Sequence, residues 1–482
     1  MIGVHGRTRG AADLRKAPAI SIPPDADRPA GPVRHLGVLD AMAVVIGIVV
    51  GVGIFKSPSL VAGCTGTPWL MFTAWGLGGL LCLCGALTYA ELASAYPKVG
   101  GEYVFLSRAF GRGVGFLFVW ARLTVIQTGT IAATAYVFGD YMQRLQSLGT
   151  YGPLMWALGA TVVLTACNVV GLKAGRWTQN LLTLVKMAGV AAVALAGLVA
   201  APHVAAEGAA AAEPASDAGP SLAGFGLAMI FVLYTFGGWN EAAYVAGELK
   251  HKRRSMLWVL LGSILLLSAL YAVVNLAYLR VLGMEGMAGS KAVAADAMLA
   301  FGGRWAERAV TVLVAVSALG AMNGCIFTGA RAICGLGEDF RPLRWLGQWH
   351  PRLGTPTTAI VVQSAIAVVL VVLPSLGEGF RDALGSGFEA AVEYTSPVFW
   401  LFFLATGVSA FVLRVREPEV RRPFRVPLFP ITVLAFCLMC GYMLYSSVMY
   451  TRMGALVGVA VLAVGVPVYF LFRERPEKPR EE

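Results

Sequence analysis

The sequence predicts an all-α protein that crosses a membrane many times, and its composition and the length of its apolar segments carry that prediction. Of its 482 residues, 57% are hydrophobic and only 13% are charged, and the mean hydropathy is +0.70. Apolar stretches of about 20 residues, the length of a membrane-spanning helix, recur along the chain. Ordinary soluble domains do not have this composition.

Twelve apolar stretches predict twelve transmembrane helices. They lie at residues 36–62, 68–93, 114–142, 152–171, 177–200, 221–247, 255–282, 305–334, 357–376, 389–413, 426–448 and 453–472. The predicted organisation is a disordered basic cytoplasmic tail at 1–34, a first five-helix repeat at 35–200, an extracytoplasmic loop at 201–220, a second five-helix repeat at 221–414, helices 11 and 12 at 415–472, and a cytoplasmic tail at 473–482. The first tail lacks an apolar core, so we expect no cleaved signal peptide.

The net charge of +11 is explained by membrane topology rather than by a nucleic-acid partner. Sorted by the predicted topology, 28 of the 38 Lys and Arg residues fall on the side that holds both termini, eight fall on the other side, and two, Arg122 and Lys186, lie inside spans. An excess of Lys and Arg in cytoplasmic loops orients membrane proteins. We therefore predict cytoplasmic termini, a lipid bilayer around the protein, and no nucleic acid.

The cysteines and histidines predict no metal or redox site. Among the eight cysteines, Cys82 with Cys84 and Cys437 with Cys440 lie in apolar helices, as small buried thiols do. The five histidines show no metal-ligand spacing, and the chain carries no HExxH, GxSxG or phosphate-binding P-loop motif. We expect no cofactor, no metal and no enzymatic activity.

Two predicted spans are interrupted by glycines near their middle. Span 1 carries Gly51 and Gly53, and span 6 carries the pair Gly237-Gly238. A helix-packing face is the alternative for Gly47 and Gly51, which are four residues apart, but consecutive glycines permit unwound backbone instead. Since five helices separate the breaks, the two spans run in opposite directions, as the broken helices of inverted-repeat transporters do at a substrate site.

Unwound backbone at these breaks supplies ligands for both charges of an amino acid. The end of the first half-helix presents the carbonyl groups of Val49 and Val50, which suit an ammonium group. The next half-helix begins with free amides that suit a carboxylate, those of Gly51, Val52, Gly53 and Ile54. The sequence therefore predicts a site for the zwitterionic head of an α-amino acid.

Seven motifs in order along the chain resemble those of the amino acid–polyamine–organocation (APC) superfamily, and within it the L-type amino acid transporters and their bacterial relatives. They are GVGIFKSP (51–58), YAELASAYPKVGGEYVF (89–105), TLVKMAG (183–189), FGGWNEAAYVAGEL (236–249), ALGAMNGCIFTGAR (318–331), HPRLGTP (350–356) and RRPFRVPLFP (421–430). The resemblance covers nearly all of residues 36–450. It implies the LeuT-type fold, in which spans 1–5 and 6–10 are inverted repeats and spans 1 and 6 are broken.

The resemblance also implies roles for backbone and aromatic groups around the breaks. Carbonyls of Val49 and of the segment Tyr234, Thr235, Phe236 and Gly237 would take the substrate amine. Amides around Val52 would take its carboxylate, although relatives usually carry Ser or Thr there, so a hydroxyl contact is lost. Tyr234 or Phe236 would be the aromatic gate over the bound substrate.

Lys186 lies deep in predicted span 5, where a charge costs at least about 2.5–3.5 kcal/mol on the insertion scale and marks function by default. The alternative is a side chain that reaches back to the membrane surface. In its TLVK context, Lys186 resembles the lysine that takes the place of a sodium ion between spans 1 and 8 in sodium-independent members. The resemblance implies a coupling role, either as a proton carrier in symport or as a fixed cation in an exchanger.

Five further polar residues are weighed for the site. Gln127 is a candidate for the side-chain pocket, and Asn323 either faces the cavity or packs against span 1. Glu241 caps the second half-helix, or it faces the pocket and admits cationic substrates. We expect Arg122 near the cytoplasmic interface and Glu248 as an interfacial anchor.

These observations favour a sodium-independent secondary active transporter of neutral L-amino acids that works by alternating access, through proton symport or amino acid exchange. Apolar residues beside the breaks favour neutral side chains. The alternatives are a cationic amino acid or polyamine exchanger and an amino-acid sensor of the same fold. We expect a location in the bacterial inner membrane, an amino acid as small-molecule substrate and protons as a candidate coupling partner; the oligomeric state is left open.

Overall fold

The computed structural model describes residues 36–98, 100–199, 222–249, 252–290, 292–375, 387–450 and 452–472. Within these ranges the chain is almost entirely helical and forms no β-strand, and one isolated bridge joins Leu36 to Leu249. The predicted all-α class is confirmed. The predicted tails at 1–34 and 473–482 and the loop at 201–220 lie outside the described residues.

The α-helices of the described residues are numbered here in chain order. They are α1 Val38–Val49, α2 Gly53–Thr65, α3 Pro68–Ala95, α4 Glu102–Phe110, α5 Arg112–Ala121, α6 Gln127–Leu145, α7 Gly152–Val170, α8 Leu172–Val199, α9 Leu222–Thr235, α10 Ala242–Val245, α11 Lys252–Gly289, α12 Val293–Asp339, α13 Thr357–Val372, α14 Gly387–Arg416, α15 Ile431–Tyr450 and α16 Arg452–Phe472. A π-helical turn, Arg122–Ile126, joins α5 to α6. The 3₁₀ turns Trp239–Glu241 and Ala246–Glu248 flank α10.

Eight helical segments of the described residues are long and apolar enough to cross a bilayer, and α1 with α2 forms a ninth when the bent pair is taken as one span. The eight are Pro68–Ala95, Arg112–Leu145, Gly152–Val170, Lys173–Val199, Ser255–Gly289, Val293–Asp339, Tyr394–Arg416 and Ile431–Met449. Two further apolar helices, Thr357–Val372 and Leu456–Phe472, are shorter. A polytopic membrane protein is confirmed, while the count of twelve and the two five-helix repeats stay predictions.

Both predicted helix breaks are present. α1 ends at Val49 and α2 begins at Gly53, with a bend of 49° between them. α9 ends at Thr235, and the chain resumes as a 3₁₀ turn only after Gly238. Gly238 has a φ of +106°, which an L side chain rarely adopts. The glycines therefore interrupt the helices where the sequence predicts it.

The structure explains glycine at positions 47 and 51 in different ways. A Cβ atom on Gly47 would collide with the side chains of Gln179 and Thr183 on α8. A Cβ atom on Gly51 would meet nothing closer than the Ile48 carbonyl oxygen, at 3.4 Å. The helix-packing interpretation is thus right for Gly47 and wrong for Gly51, whose position belongs to the break.

The broken helices are enclosed by long helices. α1 packs against α8, α11 and α12, and α2 packs against α9 and α11. α6 packs against α12, and α14 packs beside α6. Both breaks are consequently buried in the protein interior, where irregular backbone is tolerated at membrane depth.

Candidate substrate site

A cavity of about 170 Å³ lies between the two helix breaks and is bounded by α6, α12 and α14. Eight of the residues predicted to bind substrate line it: Val49, Gly51, Val52, Gly53, Gln127, Tyr234, Thr235 and Gly237. The other four, Val50, Ile54, Phe236 and Asn323, are not on its wall. The wall also contains residues that sequence analysis did not assign to the site, among them Ile48, Leu233, Phe399 and Trp400.

The first turn of α2 offers backbone donors to this cavity. The Phe55 amide donates to the Val52 carbonyl oxygen at 3.1 Å, and the amides of Val52, Gly53 and Ile54 precede that bond. The first amides of a helix have no acceptor inside the helix, and the helix dipole adds positive potential there. This end of α2 is chemically suited to a carboxylate.

The carbonyl groups at the end of α1 are engaged within the protein, contrary to expectation. The Val50 carbonyl oxygen accepts from Lys186 Nζ at 2.9 Å. The Val49 carbonyl oxygen accepts from the Gly51 amide at 2.7 Å and from the Tyr271 hydroxyl at 3.1 Å. The expectation that these two carbonyls stay unpaired is wrong because side chains of α8 and α11 reach them.

The end of α9 releases a different acceptor. The Gly237 amide, which would bond the Leu233 carbonyl in a continued helix, donates to the Tyr234 carbonyl oxygen at 3.0 Å instead. Leu233 lines the cavity, and a carbonyl group that has lost its helical partner is chemically suited to an ammonium group. The sequence signal was the Gly237-Gly238 pair, which marks the end of the helix but not which carbonyl it frees.

The two predicted aromatic gates lie in different places. Tyr234 is on the cavity wall and is 36% exposed. Phe236 is buried and packs against Tyr271 and Trp75, with ring centroids 5.1 Å and 6.1 Å away. Tyr234 is therefore the one of the two whose position suits a gate, while Phe236 holds the break against α3 and α11.

Gln127 and Asn323 both serve helix packing. Gln127 Nε2 donates to the Cys325 carbonyl oxygen of α12 at 2.6 Å, although the residue also touches the cavity. Asn323 accepts from Asn168 at 2.8 Å and donates to Gln179 Oε1 at 2.7 Å. Asn323 thus joins α12 to α7 and α8, and it is not among the residues that line the cavity.

Lys186 is fully buried, so the interpretation of a side chain reaching the membrane surface is wrong. Its ammonium group donates to the carbonyl oxygens of Gly47 at 2.6 Å, Val50 at 2.9 Å and Ser317 at 3.0 Å. A Cβ atom on Gly320 would lie 2.6 Å from Nζ, so that glycine makes room for the charge. Lys186 therefore links the end of α1 to α12 directly beside the first break.

Arg122 and Glu241 form a buried ion pair, which sequence analysis missed. Arg122 NH2 donates to Glu241 Oε1 at 2.7 Å and to Oε2 at 2.6 Å. The Arg122 side chain is 2% exposed, so it is buried within the protein. Glu241 lies on the cavity wall, and although it is the N-cap residue of α10, its side chain makes no capping hydrogen bond. The two residues are 119 positions apart, so no local pattern could have paired them.

Glu248 is also internal rather than an interfacial anchor. Its carboxylate pairs with Arg331 of α12, with NH2 to Oε2 at 3.0 Å. Both side chains are at most 1% exposed. Among the described residues, no group of three or more His, Cys, Asp or Glu side chains is placed to hold a metal ion.

Helices broken at glycines around an internal cavity, with a buried lysine tied to the first break, define a membrane transporter of the broken-helix class. The chain belongs to the amino acid permease family, which matches residues 36–472. The family resemblance carried by the sequence motifs is confirmed. Members of this family are transporters and not enzymes.

Individual relatives are similar to this chain over almost its whole length. The serine/threonine exchanger SteT of Bacillus subtilis (strain 168) is 28% identical over 449 residues, which cover 92% of this chain and 97% of that protein. The b(0,+)-type amino acid transporter 1 of Homo sapiens is 29% identical, with 91% and 88% covered. The cystine/glutamate transporter of Homo sapiens is 27% identical, with 93% and 87% covered.

Proposed function

We propose that this protein is a sodium-independent exchanger of neutral L-amino acids that binds the zwitterionic head group between its two helix breaks. The observation that carries the proposal is the placement of opposite backbone ends on one cavity. The first amides of α2 suit the carboxylate, and the Leu233 carbonyl at the end of α9 suits the amine. A site with both polarities matches an α-amino acid.

The surroundings of Lys186 support independence from sodium and favour exchange over proton symport. Its three contacts use all three N–H donors of an ammonium group. A neutral amine would have only two donors and would leave one buried carbonyl unsatisfied, at a cost of about 1–3 kcal/mol. An ammonium group held by these three carbonyls can do structurally what a bound cation would do.

The cavity wall supports neutral substrates. Apolar side chains such as Val52, Ile126 and Phe399 alternate with the hydroxyl groups of Thr130 and Ser396. The single acidic residue among the lining residues, Glu241, is paired with Arg122. A cationic amino acid or polyamine exchanger would need an unpaired carboxylate in the cavity wall, and the ion pair with Arg122 removes it.

The proposal includes the orientation and location of the protein. The excess of Lys and Arg on the side of both termini supports cytoplasmic termini. A location in a bacterial cell membrane is supported by a similar protein, the exchanger SteT, which comes from a bacterium. Multi-pass insertion itself is supported by the eight membrane-length helices of the described residues.

A thermal-shift screen of the purified protein against all common amino acids and polyamines tests the proposal. Because ligand binding stabilises the native state by RT ln(1 + [L]/Kd), about 2.7 kcal/mol at 100 times Kd, the bound class stands out. We expect shifts with neutral L-amino acids, and none with the methyl ester or the N-acetyl form of the same compounds. Shifts with the blocked forms, or with polyamines only, contradict the proposed head-group site.

A further inference from the structure

The ion pair between Arg122 and Glu241 stands at the boundary of the cavity, with the carboxylate on the cavity side. Glu241 is on the wall, and its side chain is 8% exposed, whereas Arg122 is 2% exposed and is not a lining residue. Ile126, one helical turn after Arg122, does line the cavity. The guanidinium group therefore lies behind the carboxylate.

Arg122 is fixed from its far side as well. Its guanidinium carbon lies 3.9 Å from the centroid of the Tyr244 ring. Its NH1 atom lies 3.9 Å from Glu102 Oε2, outside hydrogen-bond distance. Arg122 also sits on the π-helical turn Arg122–Ile126, a local irregularity that is frequent at functional sites.

Glu102 does not depend on Arg122 for its hydrogen bonds. Its carboxylate accepts from the Tyr89 hydroxyl at 2.5 Å, from Asn240 Nδ2 at 3.1 Å and from the Tyr244 hydroxyl. Both close bonds of Arg122 NH2 go to Glu241. The main electrostatic effect of Arg122 is therefore to neutralise the carboxylate on the cavity wall.

We propose that Arg122 sets the charge specificity of the site. Because its guanidinium group pairs with the Glu241 carboxylate, the cavity accepts neutral side chains and rejects cationic ones. A buried ion pair is no better for stability than a well-packed apolar pair, so its position beside the cavity is better explained by selectivity. An unpaired carboxylate in this wall is the partner that the ammonium group of a lysine side chain requires. The inference rests on the proposed exchange of amino acids.

The test compares the variant Arg122→Gln with the wild type in proteoliposomes, measuring uptake of labelled L-lysine and labelled L-leucine into vesicles loaded with the same unlabelled amino acid. The variant Arg122→Gln leaves Glu241 unpaired, and the ratio of lysine to leucine uptake should rise roughly tenfold or more, because one charge-assisted hydrogen bond is gained. The double variant Arg122→Gln/Glu241→Gln should return to the wild-type ratio. A loss of structure alone would lower both uptakes without changing their ratio.

Two further variants guard against misfolding and provide a control. Should Arg122→Gln fail to fold because Glu102 and Glu241 then face each other, Arg122→Gln/Glu102→Gln removes that repulsion and leaves Glu241 unpaired, with the same expected gain. Arg108→Gln is the matched control, since Arg108 pairs with Glu417 at 2.9 Å away from the cavity. It should not alter the ratio.

The measured uptakes distinguish a failure of the role of Arg122 from a failure of the proposed function. A folded Arg122→Gln variant that still rejects lysine overturns the role of Arg122, as does an equal gain in the double variant. Wild-type protein that takes up lysine as well as leucine overturns the proposed neutral specificity instead. Wild-type protein that takes up neither overturns the proposed exchange activity.

Discussion

The ammonium group of Lys186 lies 2.6 Å from the carbonyl oxygen of Gly47, which ties the middle of α8 to the last turn of α1. The same group reaches Val50 on the other side of the helix end and Ser317 of α12. One side chain thereby fixes the helix break that forms part of the cavity wall. The arrangement makes the geometry of the site dependent on a positive charge outside the cavity.

The variant Lys186→Ala should abolish exchange. Removing the ammonium group leaves three buried carbonyls without their donor, and each hydrogen bond to a charged group is worth about 1.5–3 kcal/mol. We expect a lower melting temperature and a loss of amino acid counterflow in proteoliposomes. Lys173→Ala, which changes an exposed lysine on the same helix, is the matched control. Normal, sodium-independent exchange by Lys186→Ala would show that the charge is dispensable.

Substitution of Gly47 should affect stability, and substitution of Gly51 should affect substrate uptake. Gly47→Ala places a methyl group against Gln179 and Thr183, so it should lower the melting temperature. Gly51→Ala meets no close neighbour but adds a methyl group at the cavity wall, so it should fold normally and raise the KM for uptake. Comparing melting temperatures and uptake kinetics checks both. Equal destabilisation by the two would argue against separate roles.

Asn323→Ala should affect stability and not substrate affinity. The substitution removes the hydrogen bonds to Asn168 and Gln179, and interhelical hydrogen bonds in membranes are worth about 0.5–2 kcal/mol. The apparent Kd for a neutral amino acid should stay at the wild-type value in a binding titration. A marked loss of affinity in protein of near-normal melting temperature would return Asn323 to the substrate site.

The stability of the protein should depend on the ionisation of Glu102, which lies on α4 between membrane-spanning helices. Burial raises the pKa of the Glu102 carboxyl from 4.5 to about 7, although Arg122 and the Tyr89 hydroxyl favour the charged form and Glu241 opposes it. Between these two pH values the folded state binds more protons than the unfolded state, so stability falls as the pH rises. Above the folded-state pKa the effect levels off.

The measurement is the melting temperature at a pH of about 5.5 and about 7.5, in wild type and in Glu102→Gln. The contribution of Glu102 should make the wild type more stable at the lower pH. The variant Glu102→Gln should lose that part of the difference, because it cannot ionise. An identical pH dependence in both proteins would mean that Glu102 does not titrate in this range.

Local sequence was sufficient to predict the helix breaks and the depth of Lys186. Gly51, Gly53 and Gly237-Gly238 act through their own backbone, and a charge far from both ends of an apolar span is visible without a structure. The family resemblance implied a position between spans 1 and 8, but the individual carbonyl groups that Lys186 bonds were not visible because they belong to other segments of the chain. Phe236 was misplaced for a related reason. Which side of an unwound segment faces the cavity depends on Trp75 and Tyr271, which are distant in the sequence.

The buried ion pairs could not be predicted because their members come from different helices. Arg122 and Glu248 were expected at interfaces because basic residues lie near each of them in the sequence, and that proximity does not show which charge of another segment lies beside them in the structure. Arg331 supplies it for Glu248, and Glu241 supplies it for Arg122. Pairing of this kind is a property of the tertiary structure alone.

Counterflow in sodium-free proteoliposomes is the decisive test of amino acid exchange at the broken helices. Labelled L-serine or L-leucine is offered to vesicles that contain the same unlabelled amino acid, to empty vesicles, and to empty vesicles with an imposed pH gradient. We expect rapid uptake into the loaded vesicles only, with no change when sodium is added. Uptake into empty vesicles driven by the pH gradient, or uptake that requires sodium, would contradict it.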